Sequence, residues 1–416
     1  MLVALLLACT PDAEPLALEV VADPDNVLRA VARWDPDAAP AAHVVFGDGQ
    51  RTPPTDSGEA TLVGMPAEAD IPVRLVGHDG ATLAETTFTT GRLPSAVPEL
   101  SPEGTPFGEG WIVTASFGFD GSPPVAIAVD GEGRVGWYHV LDTIGAAFGG
   151  HPTTWALRLE AGAVWLAVAD EAYQGFVRVP FDGSAPTQVD APGAHHDFEL
   201  LPDGSLAYTR ADERVLDDSY VTGDTLVVRS PDGAERVVWS AFDTLEVQRH
   251  AGWDTFASIR GDWTHANGLA WDAESARWSV SLYWLRQIVT IDDATGQVVS
   301  VLDGHTTDEP FGPQHAPTWV GDGWWLFDNA APGAGSRAVH LSPDGVLLGE
   351  WRPPTGGFAG ALGDVTPLPD ERLMVTTGVL PDLWFVAPDV EDTFHLKWPQ
   401  ANSVGQADWT PSLYAE

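Results

Sequence analysis

Residues 311–330 read FGPQHAPTWVGDGWWLFDNA. An apolar run, Ala316 to Val320, leads from His315 into a Gly-Asp-Gly turn, and a second run, Trp324 to Phe327, ends at Asp328-Asn329. Two short apolar runs joined by a glycine-bearing turn predict a β-hairpin. His315 lies seven residues before the turn aspartate Asp322. The same offset separates His196 from Asp203 in HHDFELLPDG and His265 from Asp272 in HANGLAWDAES, while Gly363 stands in that relation to Asp370 in GDVTPLPDE. One supersecondary unit therefore recurs, and three of its copies open on histidine.

Working outward, residues 106–416 divide into six such units of roughly 40–55 residues. Each holds about four short strands, with turns marked by PDG, DG or ATG, and few segments show helical periodicity. The expected fold is all-β, and the repeat predicts a six-bladed β-propeller. A two-sheet sandwich and a β-helix are the competing architectures. In a propeller the first strand of each blade lines the central channel. His196, His265 and His315 would then meet at one channel mouth although they are far apart in sequence.

Residues 16–95 read differently, as short alternating strands such as AHVVFGDG, IPVRLVGHDG and LAETTFTTG. The pattern resembles a small fibronectin type III-like β-sandwich and carries no constellation of chemical residues. The proline-rich stretch from Leu93 to Pro106 marks a boundary. Ahead of it all, the apolar run within MLVALLLACT ends at Cys9, the sole cysteine. Leu-Leu-Ala-Cys resembles a bacterial lipobox, which makes 1–15 a lipoprotein-type signal and tether. The apolar run is too short to span a bilayer. The expectation is an exported cell-envelope lipoprotein, periplasmic or on the outer surface, that meets the membrane only through a lipid on Cys9. One cysteine excludes an internal disulfide.

The formal charge is −40 over 416 residues, and Lys397 is the single lysine. Such a surface repels nucleic acid and anionic lipid headgroups. It also opposes an anionic substrate, so a site for one must supply its own positive potential.

Three clustered histidines have three uses. Neutral imidazoles bind zinc or copper, with Asp197 as an added carboxylate, although HExxH and a cysteine partner are lacking. One imidazole can act as nucleophile while others move protons. Imidazolium with arginine can also hold an anion.

The segments HHDFELLPDGSLAY, DWTHANGLAWDAESARWSVSLYWLRQIVTID, FGPQHAPTWVGDGWWLFDNA and GDVTPLPDERLMVTTG, spanning roughly 190–380, resemble the bacterial arylsulfotransferases, which use an aryl sulfate donor and no nucleotide. The resemblance implies a six-bladed propeller and no cofactor. It implies transfer of a sulfuryl group from an aryl sulfate to a phenol, with the QHA histidine, His315, transiently sulfated. His265 and His196 match the family's other two active-site histidines, with His195, one residue away, as the alternative match to the latter and a candidate substrate contact. Asn329 and Gln314 are candidates for holding the tautomer of His315. Trp263, Trp284, Trp319, Trp324 and Trp325 are candidates for stacking an aryl ring, or for core between blades.

One element of the family pattern is replaced. Its members carry an arginine on the second strand of the fourth unit to bind the sulfuryl oxygens, and Tyr283 stands at that place here. Arg286 follows three residues on, and strand alternation points it to the opposite face unless a bulge intervenes. Arg260 and Arg249, in the 245–262 insertion, are the other candidate cations. Two alternatives from other classes are a non-catalytic binding or scaffold propeller descended from such an enzyme, and a metal-dependent hydrolase or oxidase at the same mouth.

Overall fold

The computed structural model describes residues 16–118, 123–141, 153–169, 174–248, 261–330, 334–354, 356–386, 393–399 and 402–415. It is all-β, and the helix among the described residues is the short Ala241–Thr244 turn. The chain divides into two compact units, with the break after Leu93.

In the first unit a three-stranded sheet (Glu19–Ala22, Ala30–Arg33, Glu59–Leu62) and a four-stranded sheet (Gln50–Arg51, His43–Phe46, Asp70–Val76, Thr82–Thr89) share an apolar core. The Asp70–Val76 strand shows why. Ile71, Val73 and Leu75 are buried while Asp70, Pro72 and Arg74 face water, the period of a strand with one solvated face.

Among the described residues the second unit holds six antiparallel sheets. The first contains Val135–Val140, Val125–Val129, Trp111–Gly118 and, on its other edge, the C-terminal strand Asn402–Thr410. Four sheets follow, each of four consecutive strands that open on Thr153–Glu160, Ala194–Leu200, Ala266–Asp272 and Gln314–Trp319 in turn. The sixth runs from Asp364–Pro367 to Thr393–Lys397 and takes Ser101–Gly104 as its fifth strand. Both ends of the unit are thus tied by strands from the opposite end of the chain. The opening strands touch one another in sequence order, and Asp364–Pro367 contacts Asn402–Thr410, which in turn contacts Thr153–Glu160, so the inner ring closes.

Two closing strands escaped the sequence reading. The stretch 94–106, read as a boundary, supplies the Ser101–Gly104 strand, paired with Phe394–Lys397. Asn402–Thr410 pairs with Trp111–Gly118 and completes the first sheet, which had only three strands of its own. Its sequence, NSVGQADWT, lacks clean alternation because the register shifts between Val404 and Ala407.

Candidate active site

The inner strands are bent at the level of the histidines. Register shifts fall between Thr154 and Leu157, Ala194 and Phe198, Ala266 and Gly268, His315 and Thr318, and Val404 and Ala407. Extra residues of this kind break the alternation of a strand and re-aim its side chains. His196, His265 and Ala316 have φ of +59°, +50° and +45°, left-handed backbone that costs a non-glycine residue of order ~1–3 kcal/mol. Surrounding bonds hold it in place. Thr209 Oγ1 donates to the His195 carbonyl at 2.6 Å, Tyr283 N to the His265 carbonyl at 3.2 Å, and Asn267 Nδ2 to the Gln314 carbonyl at 2.7 Å.

The shared seven-residue spacing is not a shared structural position. Asp203 and Asp322 lie in turns, whereas Asp272 is the last residue of its strand, paired with Arg277. His265 precedes its strand, while His315 is the second residue of its own. The bulges, not a common register, bring the rings together. Gly363 explains the copy without histidine. Its φ is +105°, and a Cβ there would meet the Phe327 ring at 2.2 Å, so no side chain fits.

The three predicted histidines converge. The His196 and His265 ring centroids are 4.6 Å apart, and the Tyr283 ring lies 5.4 Å from His265 and 5.3 Å from His315. His196 and His315 line one small cavity together with Asn267, Leu362, Gly363 and Gln406.

His315 is buried, and its protonation is set by its neighbours. Asn329 gives both amide hydrogens to carbonyls, Ala359 O at 2.7 Å and Leu362 O at 2.8 Å. Its Oδ1 is therefore an acceptor, and His315 Nδ1–H donates to it at 2.7 Å. That tautomer leaves a lone pair on Nε2, which accepts Leu362 N–H at 3.2 Å. Burial pushes the His315 pKa down to about 3, with His265 adding to the effect. Gln314, the other candidate for holding this tautomer, turns away. Its Nε2 donates to Ser281 Oγ and the Gln287 carbonyl, both at 3.0 Å.

His265 is backed directly by a buried carboxylate, and His196 by one that acts through His195. Asp262 Oδ2 lies 2.6 Å from His265 Nδ1 and accepts from Trp284 Nε1 at 2.9 Å. Asp224 Oδ1 lies 2.8 Å from His195 Nε2, and His195 Nδ1 lies 2.8 Å from His196 Nδ1. Asp224 Oδ2 accepts from Thr264 Oγ1 at 2.5 Å and Ala266 N at 2.7 Å, the two residues that bracket His265. Burial would raise the Asp224 pKa, but His195 and these donors hold it below the usual carboxylate range. Burial, with His265, His195 and His315 nearby, pushes His196 well down. His195, predicted as a substrate contact, thus stands behind His196.

Tyr283 occupies the space between His265 and His315, and its hydroxyl donates to Gly360 O at 2.8 Å. Burial raises its pKa. Residues 283–286 form a turn between the Arg277–Leu282 and Gln287–Asp292 strands. The alternation argument about Arg286 therefore does not apply. Arg286 sits at φ +54° in that turn, partly exposed, and its charge acts on Tyr283. Arg249, Arg260 and Cys9 lie outside the described residues.

Of the five tryptophans, Trp284 borders the histidines, 5.9 Å from His265. Trp263 is buried against Phe242, Trp324 packs on Trp319, and Trp325 stacks on His340. Asp197 also faces away. It accepts from Arg158 Nη2 at 3.0 Å and Leu269 N at 2.8 Å, and lines a second cavity with Glu199, Asp364 and Asp408. Burial raises Asp364 to about 7. No group of three or more potential metal ligands with suitable geometry occurs among the described residues.

Asp224, Asp262, Thr264 and Asn267 were missed in the sequence. Asp262 and Thr264 flank His265 in the quoted DWTHAN segment, so their proximity was a signal. Asp224 sits on a different strand and gave none.

Solved structures with low similarity include a Bacteroides caccae protein of unknown function (11% identity, 65% of this chain and 84% of that one, TM-score 0.43). Others are a virginiamycin B lyase from Staphylococcus aureus (11%, 72% and 100%, 0.42) and a streptogramin B lyase (12%, 81% and 93%, 0.39). No curated protein matches the chain. Residues 112–308, a little under half of the chain, match the family described as Arylsulfotransferase (ASST).

Proposed function

We propose that the chain transfers a sulfuryl group from an aryl sulfate to a phenolic acceptor through a sulfohistidine on His315. The observation that carries this reading is the fixed tautomer of His315. Its Nδ1–H is committed to Asn329 Oδ1 at 2.7 Å, so Nε2 keeps a lone pair, and with a pKa of about 3 the ring is neutral at any physiological pH. A neutral imidazole with a defined lone pair is a nucleophile that needs no base to activate it. It gives up the Leu362 N–H hydrogen bond and attacks sulfur, and as the N–S bond forms the S–O bond breaks and the phenolate leaves. His265, backed by Asp262, stabilises charge on the sulfuryl oxygens. An acceptor phenol then takes the group from Nε2, giving ping-pong kinetics.

The same reading makes the six closed sheets the blades of a six-bladed propeller, preceded by a fibronectin type III-like sandwich. It makes Cys9 the lipidated residue of an envelope protein. No helix among the described residues is long and apolar enough to cross a membrane.

The test is incubation with a chromogenic aryl sulfate, with and without phenol, and with and without chelator. Sustained release that requires phenol supports transfer. Sustained release without phenol, beyond one equivalent of enzyme, means hydrolysis, loss on chelation means metal chemistry, and binding without release means a binding protein.

A further inference from the structure

We propose that Asp224 and His195 form a proton relay behind His196, which gives a proton to the phenolic oxygen that leaves in the first half-reaction and takes one from the acceptor phenol in the second. The proposal rests on the transfer reading above and assigns the acid that such a reaction needs.

Four features of the site point to it. His195 Nε2 is 2.8 Å from a carboxylate oxygen of Asp224, a residue 3% exposed. The other nitrogen of the same ring is 2.8 Å from His196 Nδ1, so one proton lies between two imidazoles. His196 lines the cavity that holds His315. The backbone at His196 is left-handed, φ +59°, and the strand carries two extra residues between Ala194 and Phe198 relative to its partner, so both neighbouring histidines serve one purpose in place of facing opposite sides. A buried carboxylate that orients one imidazole and stabilises its charge is the arrangement by which histidine moves protons.

The step balances as follows. At the start His195 is an imidazolium that donates from Nε2 to Asp224 and from Nδ1 to His196 Nδ1, and His196 carries its proton on Nε2. As the S–O bond breaks and the N–S bond to His315 forms, the Nε2 proton of His196 passes to the departing phenolate oxygen. His196 Nδ1 simultaneously takes the shared proton, which leaves His195 neutral. The acceptor phenol reverses each transfer, so the relay is restored after one turnover. Asp224 remains a carboxylate throughout. Asp224 and His195 act through His196 and are positioning residues, not catalytic ones.

A structural tie alone would also explain Asp224, because its second oxygen holds Thr264 and Ala266. The leaving group separates the two. Phenyl sulfate releases a basic phenolate that needs a proton, whereas 4-nitrophenyl sulfate releases a stable anion. Turnover at limiting donor (donor kcat/KM), which in a ping-pong reaction reports the first half-reaction alone, is measured for both donors, with phenol as acceptor for the nitrophenyl donor and 4-methylphenol for the phenyl donor, on the full chain and on His195→Gln and Asp224→Asn. Phenyl sulfate turnover is expected to fall on the order of 100-fold, and 4-nitrophenyl sulfate turnover at least ~10-fold less than that. In the unaltered protein, D₂O should slow phenyl sulfate more than 4-nitrophenyl sulfate, a reading that does not depend on variants folding. Equal losses on both donors with equal isotope effects overturn the relay while transfer stands. No turnover of either donor by the unaltered protein overturns the transfer reading itself.

Discussion

Asn329 Oδ1 accepts the Nδ1 proton of His315 at 2.7 Å because both hydrogens of the Asn329 amide are spent on the Ala359 and Leu362 carbonyls. Two carbonyls on one loop therefore decide which nitrogen of His315 carries the proton. Asn329→Leu should keep the ring buried but release the tautomer, and turnover should fall on the order of 100-fold. ¹⁵N NMR of labelled histidine should show His315 fixed as the Nδ1–H form in the unaltered protein and mixed in the variant. A variant with unchanged turnover would mean that tautomer control is irrelevant.

The low pKa of His315 has a consequence for stability. Unfolded, this histidine titrates near 6.5; folded, near 3. Between those values the unfolded chain binds more protons, so the folded state loses stability as pH falls through that window. Asp364 works in the opposite sense. Its folded pKa of about 7 exceeds the model carboxylate value of 3.8, so the folded state gains stability as pH falls from 7 toward 3.8. Single variants separate the two. Relative to the unaltered protein, His315→Asn should become progressively less destabilised as pH drops from 6 to 4, and Asp364→Asn should move the other way. Each shift should approach ~1.4 kcal/mol per pH unit, read from denaturant midpoints.

Gly363 tests the packing of the ring at the site. A methyl group there meets Phe327 at 2.2 Å, on backbone at φ +105°. Gly363→Ala should destabilise the second unit by about 2–4 kcal/mol, combining left-handed strain with overpacking. Chemical denaturation checks this, and an unchanged midpoint would mean that the inner strand can shift to make room.

Much of this architecture was legible in the sequence because strands, turn glycines and a recurring unit leave local marks. HHD, HAN and QHA named the three rings that the fold brings together. What was not legible is non-local or irregular. The Asn402–Thr410 strand completes a sheet begun nearly 300 residues earlier, as its Thr114 Oγ1 to Gln406 O bond across 292 positions shows. Its bulge hides the alternation. The seven-residue spacing pointed to histidines that do converge, but for a partly accidental reason, since Asp272 ends a strand where Asp203 and Asp322 make turns. Strand alternation failed at Arg286 because 283–286 turns. Asp224 could not be found at all, since its 2.8 Å approach to His195 joins residues 29 apart.

Anchoring is tested separately from chemistry. If Cys9 is lipidated, Cys9→Ser should move the protein from the membrane fraction to the soluble fraction without changing turnover. An unchanged distribution would remove the lipid anchor.

The most direct measurement is of His315 itself. The protein is mixed with excess 4-nitrophenyl sulfate and no acceptor, and quenched in alkali. The expected result is a burst of nitrophenolate equal to the enzyme present, with one sulfuryl group mapped by mass spectrometry to the peptide bearing His315, and loss of both on adding phenol. His315→Asn should show neither burst nor label. A label on another residue, or full turnover by His315→Asn, would contradict the sulfohistidine mechanism.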